Sequence, residues 1–462
     1  MSDNFEPKQL KQHDTGRLKG YQELLDFYNG RHWEGHPRYG ETRLTFNYAK
    51  VIIDKVTSYL MSDITFNVDA AADSEAARTS ARQAELALQR VYEDNNPRQL
   101  DYETEIDCAI MGDGCFKVTW DSAAKRVRVS APDVQGIYAW WWGDDTSRLW
   151  RVASRYHLDA GAAASMYGIQ PTRKTARVID VWTERDFELW VDEAQIESKP
   201  NPYGFIPFVI YPNLREPKQF WGVSDLKSLM LPQRELNRAV SQLAKILELS
   251  GNPIAVLENV EESEDIAIRP GAVWNIPEDA RAYLLDLLQG GGVRLHIDYV
   301  NLLYRILHDI SESPRSAFGG TERNLSGVAL ETELQPLLHK VRRKRLLRTA
   351  AYNRRNRMIL RLLEQYQAAD FGDYQLRVVW GPVLPRDRER LVADEQIMIQ
   401  SGMHSRRRAM DEIGIADPET EFRQWLAERE AILRMNQELN ARSGSNGTRG
   451  RAKDTAGREI EE

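Results

Sequence analysis

Two long amphipathic segments, separated by a short insert, constrain the fold of this chain more than any other feature of its sequence. Apolar residues recur every three or four residues over about 224–250 and over about 294–313, which predicts two α-helices. At about 1.5 Å per residue, each helix is roughly 25 to 40 Å long. The stripes are Leu226, Leu229, Met230, Leu236, Val240, Leu243 and Leu247, then Tyr299, Leu302, Leu303, Ile306, Leu307 and Ile310. A helix with one apolar stripe needs a partner surface, so we expect neighbouring copies of the chain to cover these stripes.

The ends of these segments carry recognisable signals. Ser224 predicts an N-cap with Asp225 in the first turn of the first helix, and Pro232 predicts a kink or a broken first turn. The insert between the helices contains two β-prone pieces, at about 254–257 and 272–276. The sequence therefore predicts an αα-hairpin with a small domain at its tip. Residues 284–288 leave open an upstream extension of the second helix.

The N-terminal half combines helical and β-prone segments. Helical spacing covers about 15–29, 51–60 and 74–93, whereas β-prone segments cover about 115–120, 126–129, 137–142, 151–157, 176–183 and 207–211. A further strand is expected at 375–380. The fold class is therefore α+β. The run Trp140, Trp141 and Trp142 fits either a platform for stacked bases or a strand whose aromatic side chains lie in the core or in a subunit interface, and the second alternative is favoured.

A long basic helix is predicted at about 328–368, after a Gly- and Ser-rich loop at 313–327. No acidic residue lies between Glu333 and Glu364. The cations contact either phosphate or acidic surfaces of neighbouring subunits, and the second alternative is slightly favoured. The candidates for these contacts are Arg342, Arg343, Lys344, Arg345 and Arg348.

The C-terminal part is predicted to be helical at about 387–401, 405–413 and 418–440. Residues 441–462 have almost no apolar side chains, so we expect this tail to be disordered.

Composition narrows the classes of function. A formal net charge of −7 argues against a protein that grips nucleic acid through a large basic surface. The negative net charge is compatible with a DNA conduit, because a channel lined with tight phosphate contacts would hold DNA rather than let it pass. No apolar run approaches the roughly 20 residues of a membrane helix, and the N-terminus lacks the pattern of a secretory signal. We therefore expect a cytoplasmic chain without a membrane partner.

Enzymatic signatures are absent from the sequence: no phosphate-binding loop, metalloprotease motif, dinucleotide fingerprint or nucleophile elbow occurs. Cys108 and Cys115 match no zinc or redox spacing, so buried, inert thiols are expected. His32 and His36 are separated by four residues, but Gly35 and Pro37 disfavour a helical zinc pair. We expect no catalytic residue, metal site or cofactor.

Five stretches, in this order and at these separations, resemble the portal proteins of long-tailed bacteriophages. They are Tyr28-Asn29-Gly30-Arg31-His32 with Arg43-Leu44-Thr45-Phe46-Asn47-Tyr48-Ala49-Lys50-Val51-Ile52-Ile53-Asp54; Ile206-Pro207-Phe208-Val209 to Asn213; Gly222-Val223-Ser224-Asp225-Leu226; Leu236-Asn237-Arg238; and Ser326-Gly327-Val328-Ala329-Leu330. The succession of helix, insert, helix, loop and long helix agrees with them.

The resemblance implies a non-enzymatic, dodecameric ring at one capsid vertex, through which double-stranded DNA is packaged and ejected. It implies a wing at 1–222 and 328–385, stem helices at 223–250 and 293–313, a clip at 251–292, a tunnel loop at 314–327, a helical crown at 386–440 and a tail at 441–462. Arg315, Phe318, Arg323 and Asn324 of the tunnel loop would touch DNA without reading its bases.

The implied partners are the terminase large subunit and a head-tail adaptor at the clip, together with the major capsid and scaffolding proteins. The protein would be assembled in the host cytoplasm and reside in the virion, at the portal vertex. Two alternatives stay open: another virion ring, such as an adaptor or baseplate component, and a metal-dependent nuclease or hydrolase. The second alternative predicts metal-dependent activity in a monomer or dimer.

Overall fold

The computed structural model describes residues 5–11, 13–169, 173–251, 255–258, 279, 281–284, 292–319, 327–384, 388–415 and 418–447. The chain divides into two compact units, Met1–Val383 and Leu384–Glu462. No helix among these described residues is long and apolar enough to cross a membrane.

The secondary structure is mixed. The α-helices are α1 (Thr15–Tyr28), α2 (Tyr48–Leu60), α3 (Glu75–Asn95), α4 (Pro97–Met111), α5 (Ala160–Tyr167), α6 (Met230–Gly251), α7 (Gly292–Ser311), α8 (Gly327–Glu333), α9 (Gln335–Gln367), α10 (Arg388–Gln400), α11 (Arg406–Ile413) and α12 (Pro418–Gly447). The strands are β1 (Ile64–Ala70), β2 (Asp113–Asp121), β3 (Arg126–Ser130), β4 (Ile137–Trp142), β5 (Asp145–Asp159), β6 (Thr175–Trp182), β7 (Asp186–Val191), β8 (Ala194–Pro200), β9 (Phe208–Pro212), β10 (Ala255–Glu258), β11 (Arg281–Leu284) and β12 (Tyr374–Trp380). This mixture agrees with the predicted α+β class.

Antiparallel pairing organises the strands of the first unit. The β4 to β8 strands form a five-stranded sheet in sequence order, and β2 lies between β3 and β9 in a second sheet. Strand β1 pairs with β12, from Ile64 opposite Trp380 to Ala70 opposite Tyr374. The chain therefore returns to its N-terminal half after α9, which places α9 among elements from both parts of the unit.

Helix α9 is the central element of this unit and contacts α2, α3, β2, β3, β9 and β12. Its buried stripe recurs every three or four residues, as expected for one face of a helix. The stripe contains Leu337, Val341, Lys344, Arg348, Tyr352, Arg355, Ile359 and Leu363. Three long cations thus occupy positions where the helical pattern calls for apolar side chains, so each needs a buried partner.

Helices α6 and α7 pack against each other as the predicted hairpin. The first helix begins at Met230, not at 224, so Pro232 lies in its first turn, where a missing N–H costs little. In the insert, β10 and β11 pair antiparallel from Ala255 opposite Leu284 to Glu258 opposite Arg281. Leu284 thus belongs to a strand and does not extend α7. The predicted strand at 272–276 lies outside the described residues.

Two features of the predicted pattern differ from the structure. The long helix predicted at 328–368 is interrupted at Leu334, because Pro336 begins a new helix and has no N–H to continue the preceding one. Helix α4 and strands β1, β7 and β8 were not predicted. The Trp140 ring packs against Phe5 and His13, as predicted for a core strand, whereas Trp142 is 56% exposed and lies outside the core.

Candidate functional site

A polar ladder joins α6 to the extended segment that precedes α2. Gln233, Asn237 and Ser241 are spaced four residues apart on α6, and all three are buried. Their side-chain oxygens accept backbone N–H groups: Ser241 from Leu44 (2.9 Å), Asn237 from Phe46 (3.0 Å) and Gln233 from Ala49 (2.9 Å). Four helical residues rise about 6.0 Å, close to the roughly 6.6 Å spanned by two residues of extended chain. One helix face therefore serves Leu44 and Phe46 as a neighbouring strand would, and the third rung reaches Ala49 in the first turn of α2.

Asn237 also connects this ladder to the end of α1. Its Nδ2 lies 2.7 Å from Nδ1 of His32, whose Nε2 lies 2.9 Å from the carbonyl oxygen of Phe27. Burial lowers the pKa of His32, so the neutral ring donates from Nε2 and accepts at Nδ1. His32 is thus a structural linker between α1 and α6.

Asp225 is buried in an ion cluster. The predicted N-cap at Ser224, with Asp225 in the first turn, is wrong because α6 begins at Met230. Its carboxylate pairs with Lys340 at 3.3 Å and with Lys344, both on α9. Burial alone would raise the pKa of Asp225, but the two ammonium groups hold it well below its ordinary value. The neighbouring Ser224 hydroxyl donates to the carbonyl oxygen of Ile110 at the end of α4. The segment before α6 is therefore fixed to both α4 and α9.

Lys340 fixes the other helix of the hairpin as well. Its Nζ donates to the carbonyl oxygen of Ser311, the last residue of α7, at 3.0 Å. The same ammonium pairs with Asp225 before the start of α6. One buried side chain of α9 therefore holds the roots of both helices.

Arg348 continues the cluster one helical turn further along α9. It makes a bidentate pair with Glu105 of α4, at 2.6 and 3.0 Å, and both side chains are fully buried. Its guanidinium also donates to Asn213, which accepts from Lys344 at 2.7 Å as well. Arg355 repeats the pattern with Asp101. We call the ladder and this ion cluster together the hairpin root.

The backbone at Gly222 lies in close contact with the backbone at Gly112 in the hairpin root. A Cβ on Gly222 would lie 2.3 Å from the carbonyl oxygen of Gly112, so only glycine fits at this crossing. The N–H of Gly222 donates to Asp113 at 2.8 Å, and that carboxylate also accepts from the Tyr21 hydroxyl. Burial raises the pKa of Asp113 to about 6.

The predicted basic contact residues fall into three groups by burial. Lys344 and Arg348 are buried and paired within the subunit, so the prediction that they contact phosphate or neighbouring subunits is wrong for these two. Arg345 is half-buried and donates to the carbonyl oxygens of Leu60 and Gly381, at 3.2 and 2.8 Å. Arg342 and Arg343 remain on the surface, where Arg343 pairs with Glu312.

The start of the predicted tunnel loop is packed against helices. Residues Arg315–Phe318 form a short 3-10 helix, and the Tyr59 hydroxyl donates to the carbonyl oxygen of Ala317 at 3.1 Å. The Phe318 ring contacts His308, and the Arg315 guanidinium lies over Tyr304. Arg323 and Asn324 lie outside the described residues.

The hairpin root contains no arrangement suited to nucleophilic or metal chemistry. Cys108 and Cys115 are buried free thiols, as predicted, and burial raises the pKa of both. No group of three or more His, Cys, Asp or Glu side chains within the described ranges could hold a metal ion. The polar side chains of the root bond to one another and to nearby backbone groups, except for Nε of Arg355, which has no partner among the described residues. They serve to position elements.

Four of the five stretches that carry the resemblance meet at this root. His32, Phe46, Asn213, Asp225 and Asn237 come from separate parts of the sequence and meet there. The family model for phage portal proteins of the SPP1 Gp6-like type matches residues 7–434, nearly the whole chain. This chain belongs to the phage portal protein family.

Membership confirms the predicted resemblance, and the portal family is a structural, non-enzymatic family of phage proteins. No curated protein matches the chain significantly. Four of the stretches on which the resemblance rests therefore meet at the portal subunit's hairpin root, which joins α6 and α7 to α4 and α9.

Proposed function

We propose that this portal subunit closes a dodecameric ring at one capsid vertex and that its α6–α7 hairpin surrounds the channel for double-stranded DNA. The observation that carries the proposal is an apolar stripe on the surface of α7. Its Leu295, Leu302 and Ile310 side chains are 72%, 45% and 44% exposed although the helix packs against α6. Apolar side chains that remain this exposed, on a helix that already packs against a second helix, favour burial against another copy of the chain.

The spacing of this stripe supports helix-to-helix burial. Residues 295, 299, 302, 306 and 310 are separated by intervals of four, three, four and four, so they share one face of α7. On α6, Leu231 and Leu247 are 74% and 52% exposed. A ring in which each hairpin packs between two others would cover the exposed apolar side chains of both α6 and α7.

The hairpin root gives this ring a fixed bore. Lys340 and Asp225 connect the roots of both helices to α9, and the Gln233 to Ser241 ladder adds a second attachment. Because these groups are buried and mutually satisfied, tilting the hairpin would expose or orphan them. The hairpin therefore behaves as a rigid wall.

DNA passage through the ring would be passive. In the proposal, Arg315, Phe318, Arg323 and Asn324 touch the duplex transiently, without base recognition, while the hairpins keep the channel open. The terminase large subunit docks on the insert at 251–292 during packaging and supplies ATP hydrolysis, and the head-tail adaptor occupies the same end afterwards. The major capsid and scaffolding proteins contact the outer wing.

Replacing residues 319–326 by a Gly-Ser linker of equal length tests the role of the loop in DNA passage. The docked Arg315–Phe318 turn stays intact in this variant. We expect normal rings in negative-stain images but a lower fraction of DNA-filled capsids. A Gly-Ser replacement of the exposed turn at 122–125 is the matched control and should package normally. Normal packaging with the altered loop would contradict the proposed role.

A further inference from the structure

The exposed face of α9 forms a basic surface with an apolar floor. It borders a cavity of about 530 Å³, which we call the α9 basic surface. The residues around this cavity are His339, Arg342, Arg343, Arg345, Leu346, Thr349 and Trp380. Leu346 is 74% exposed at its edge, and Arg342 has no ionic partner among the described residues. The surface therefore offers both positive charge and an apolar contact.

This combination fits a protein partner better than a DNA backbone. Contacts to phosphate come from cationic and hydrogen-bonding groups, which make no use of an exposed leucine beside a tryptophan. Protein interfaces combine arginine with aromatic and aliphatic residues, and they exclude water from the apolar part. The partner should therefore present carboxylates next to apolar side chains.

The chain itself carries such a surface on α4 and α2. Glu103 and Asp107 lie on the exposed side of α4, and Asp54 lies on the neighbouring helix α2. Exposed apolar groups accompany them, because Val51 is 50% exposed and Tyr102 is 38% exposed. We call this set the α4 acidic surface. Asp107 makes no hydrogen bond or ion pair with any described residue.

Crowded negative charge accompanies Asp107 on the α4 acidic surface. Its carboxylate reaches solvent, but neighbouring protein atoms partly desolvate it and raise its pKa to about 6, and the nearby carboxylates of Asp133 and Glu103 add to the effect. Contact with a surface of opposite sign would relieve this repulsion.

We infer that the α9 basic surface of one copy binds the α4 acidic surface of the next copy. The contact joins two different patches, so it is head-to-tail and is the kind that closes into rings. The inference rests on the proposed function and names the surfaces that connect adjacent subunits outside the hairpins. Every subunit supplies one patch to each neighbour.

Charge reversal separates this inference from the proposed function. Arg342→Glu or Asp107→Lys alone should raise the protein concentration needed for half-maximal ring assembly by at least about tenfold, because like charges would then face each other. Lys125→Glu and Glu184→Lys make the same changes in net charge at exposed turns and should assemble like wild type. Thermal unfolding of each monomeric variant reports whether the fold is intact.

Mixing the two single variants gives the decisive result. An equimolar mixture of Arg342→Glu and Asp107→Lys subunits should form alternating rings, because each altered patch then meets an opposite charge. The double variant should assemble alone for the same reason. Leu346→Ser should weaken assembly without lowering the unfolding temperature, since this side chain is exposed in the isolated subunit.

Three outcomes would overturn the inference. They are wild-type assembly by both single variants, failure of the mixture to assemble although both variants are folded, or a loss of DNA packaging by Arg342→Glu rings that form normally. The last result would assign the α9 basic surface to DNA. In each case wild-type rings would leave the proposed function standing, whereas a wild-type protein that never forms rings would refute the proposed function itself.

Discussion

Lys344 and Arg343 are neighbours on α9 with opposite environments. Arg343 lies at the surface, whereas Lys344 is buried against Asp225 and Asn213. The sequence contains a signal for this difference, because positions 337, 341, 344, 348, 352 and 355 continue one stripe at helical spacing. From charge alone, all of the basic candidates on α9 were expected to contact phosphate or neighbouring subunits. The partners could not be predicted, because Asp225 and Glu105 are more than a hundred residues away in sequence.

Replacing Asp225 by Asn should destabilise the subunit strongly. The substitution leaves Lys340 and Lys344 buried without a counter-charge, and we expect a loss of about 3–5 kcal/mol in the free energy of unfolding. Urea denaturation at neutral pH measures the change. Glu184→Gln, at an exposed turn, is the control and should stay within about 0.5 kcal/mol of wild type. An unchanged midpoint for Asp225→Asn would refute the ion cluster.

Asp225 also determines how the free energy of unfolding depends on pH. The pKa of Asp225 is lower in the folded protein than in the unfolded chain, so the ion cluster adds stability above the ordinary carboxyl pKa of about 4. This contribution is lost as the pH falls through the folded-state pKa. Asp225→Asn should therefore flatten the acid limb of the stability curve.

At the scale of elements, regular periodicity made the helices of this chain predictable. The segments predicted at 15–29, 51–60, 74–93, 405–413 and 418–440 correspond to helices in the structure. Strand β1 was missed because it pairs with β12, more than three hundred positions away, and no local turn marks the pairing. Helix α4 was missed because Thr104 and Glu105 are polar residues on its buried side.

The ladder between α6 and the segment at 44–49 is likewise a tertiary feature. Replacing Asn237 by Ala leaves the Phe46 N–H and Nδ1 of His32 without a partner, and it removes one of the two bonds that the Gln233 amide donates. We expect this change to cost about 2–4 kcal/mol of folding free energy, because buried polar groups lose their hydrogen bonds. Urea denaturation measures the cost.

Asn301→Ala is the matched control for that prediction. Asn301 is exposed on α7, so its removal should change the stability by no more than about 0.5 kcal/mol. Equal stabilities for the Asn237 and Asn301 variants would show that the ladder does not hold the segment on α6.

At the scale of the whole molecule, the subunit has two contrasting regions. The polar groups of the hairpin root are buried and bond within the subunit, whereas the hairpin beyond the root exposes leucines and isoleucines on α7. Periodicity predicted the hairpin and its need for neighbours. The motif residues gave the family but not their role, because their meeting point depends on tertiary contacts. The account therefore depends on the exposed apolar stripe being covered by adjacent copies.

Native mass spectrometry of the purified wild-type protein, Leu302→Glu and Asn301→Glu tests this claim most directly. We expect a closed oligomer with a multiple of the 53.2 kDa subunit mass for wild type and for Asn301→Glu, which alters an exposed polar position off the stripe. Leu302→Glu should remain a folded monomer with unchanged circular dichroism. A wild-type protein that stays monomeric at high concentration, or rings of Leu302→Glu as stable as those of Asn301→Glu, would contradict the claim.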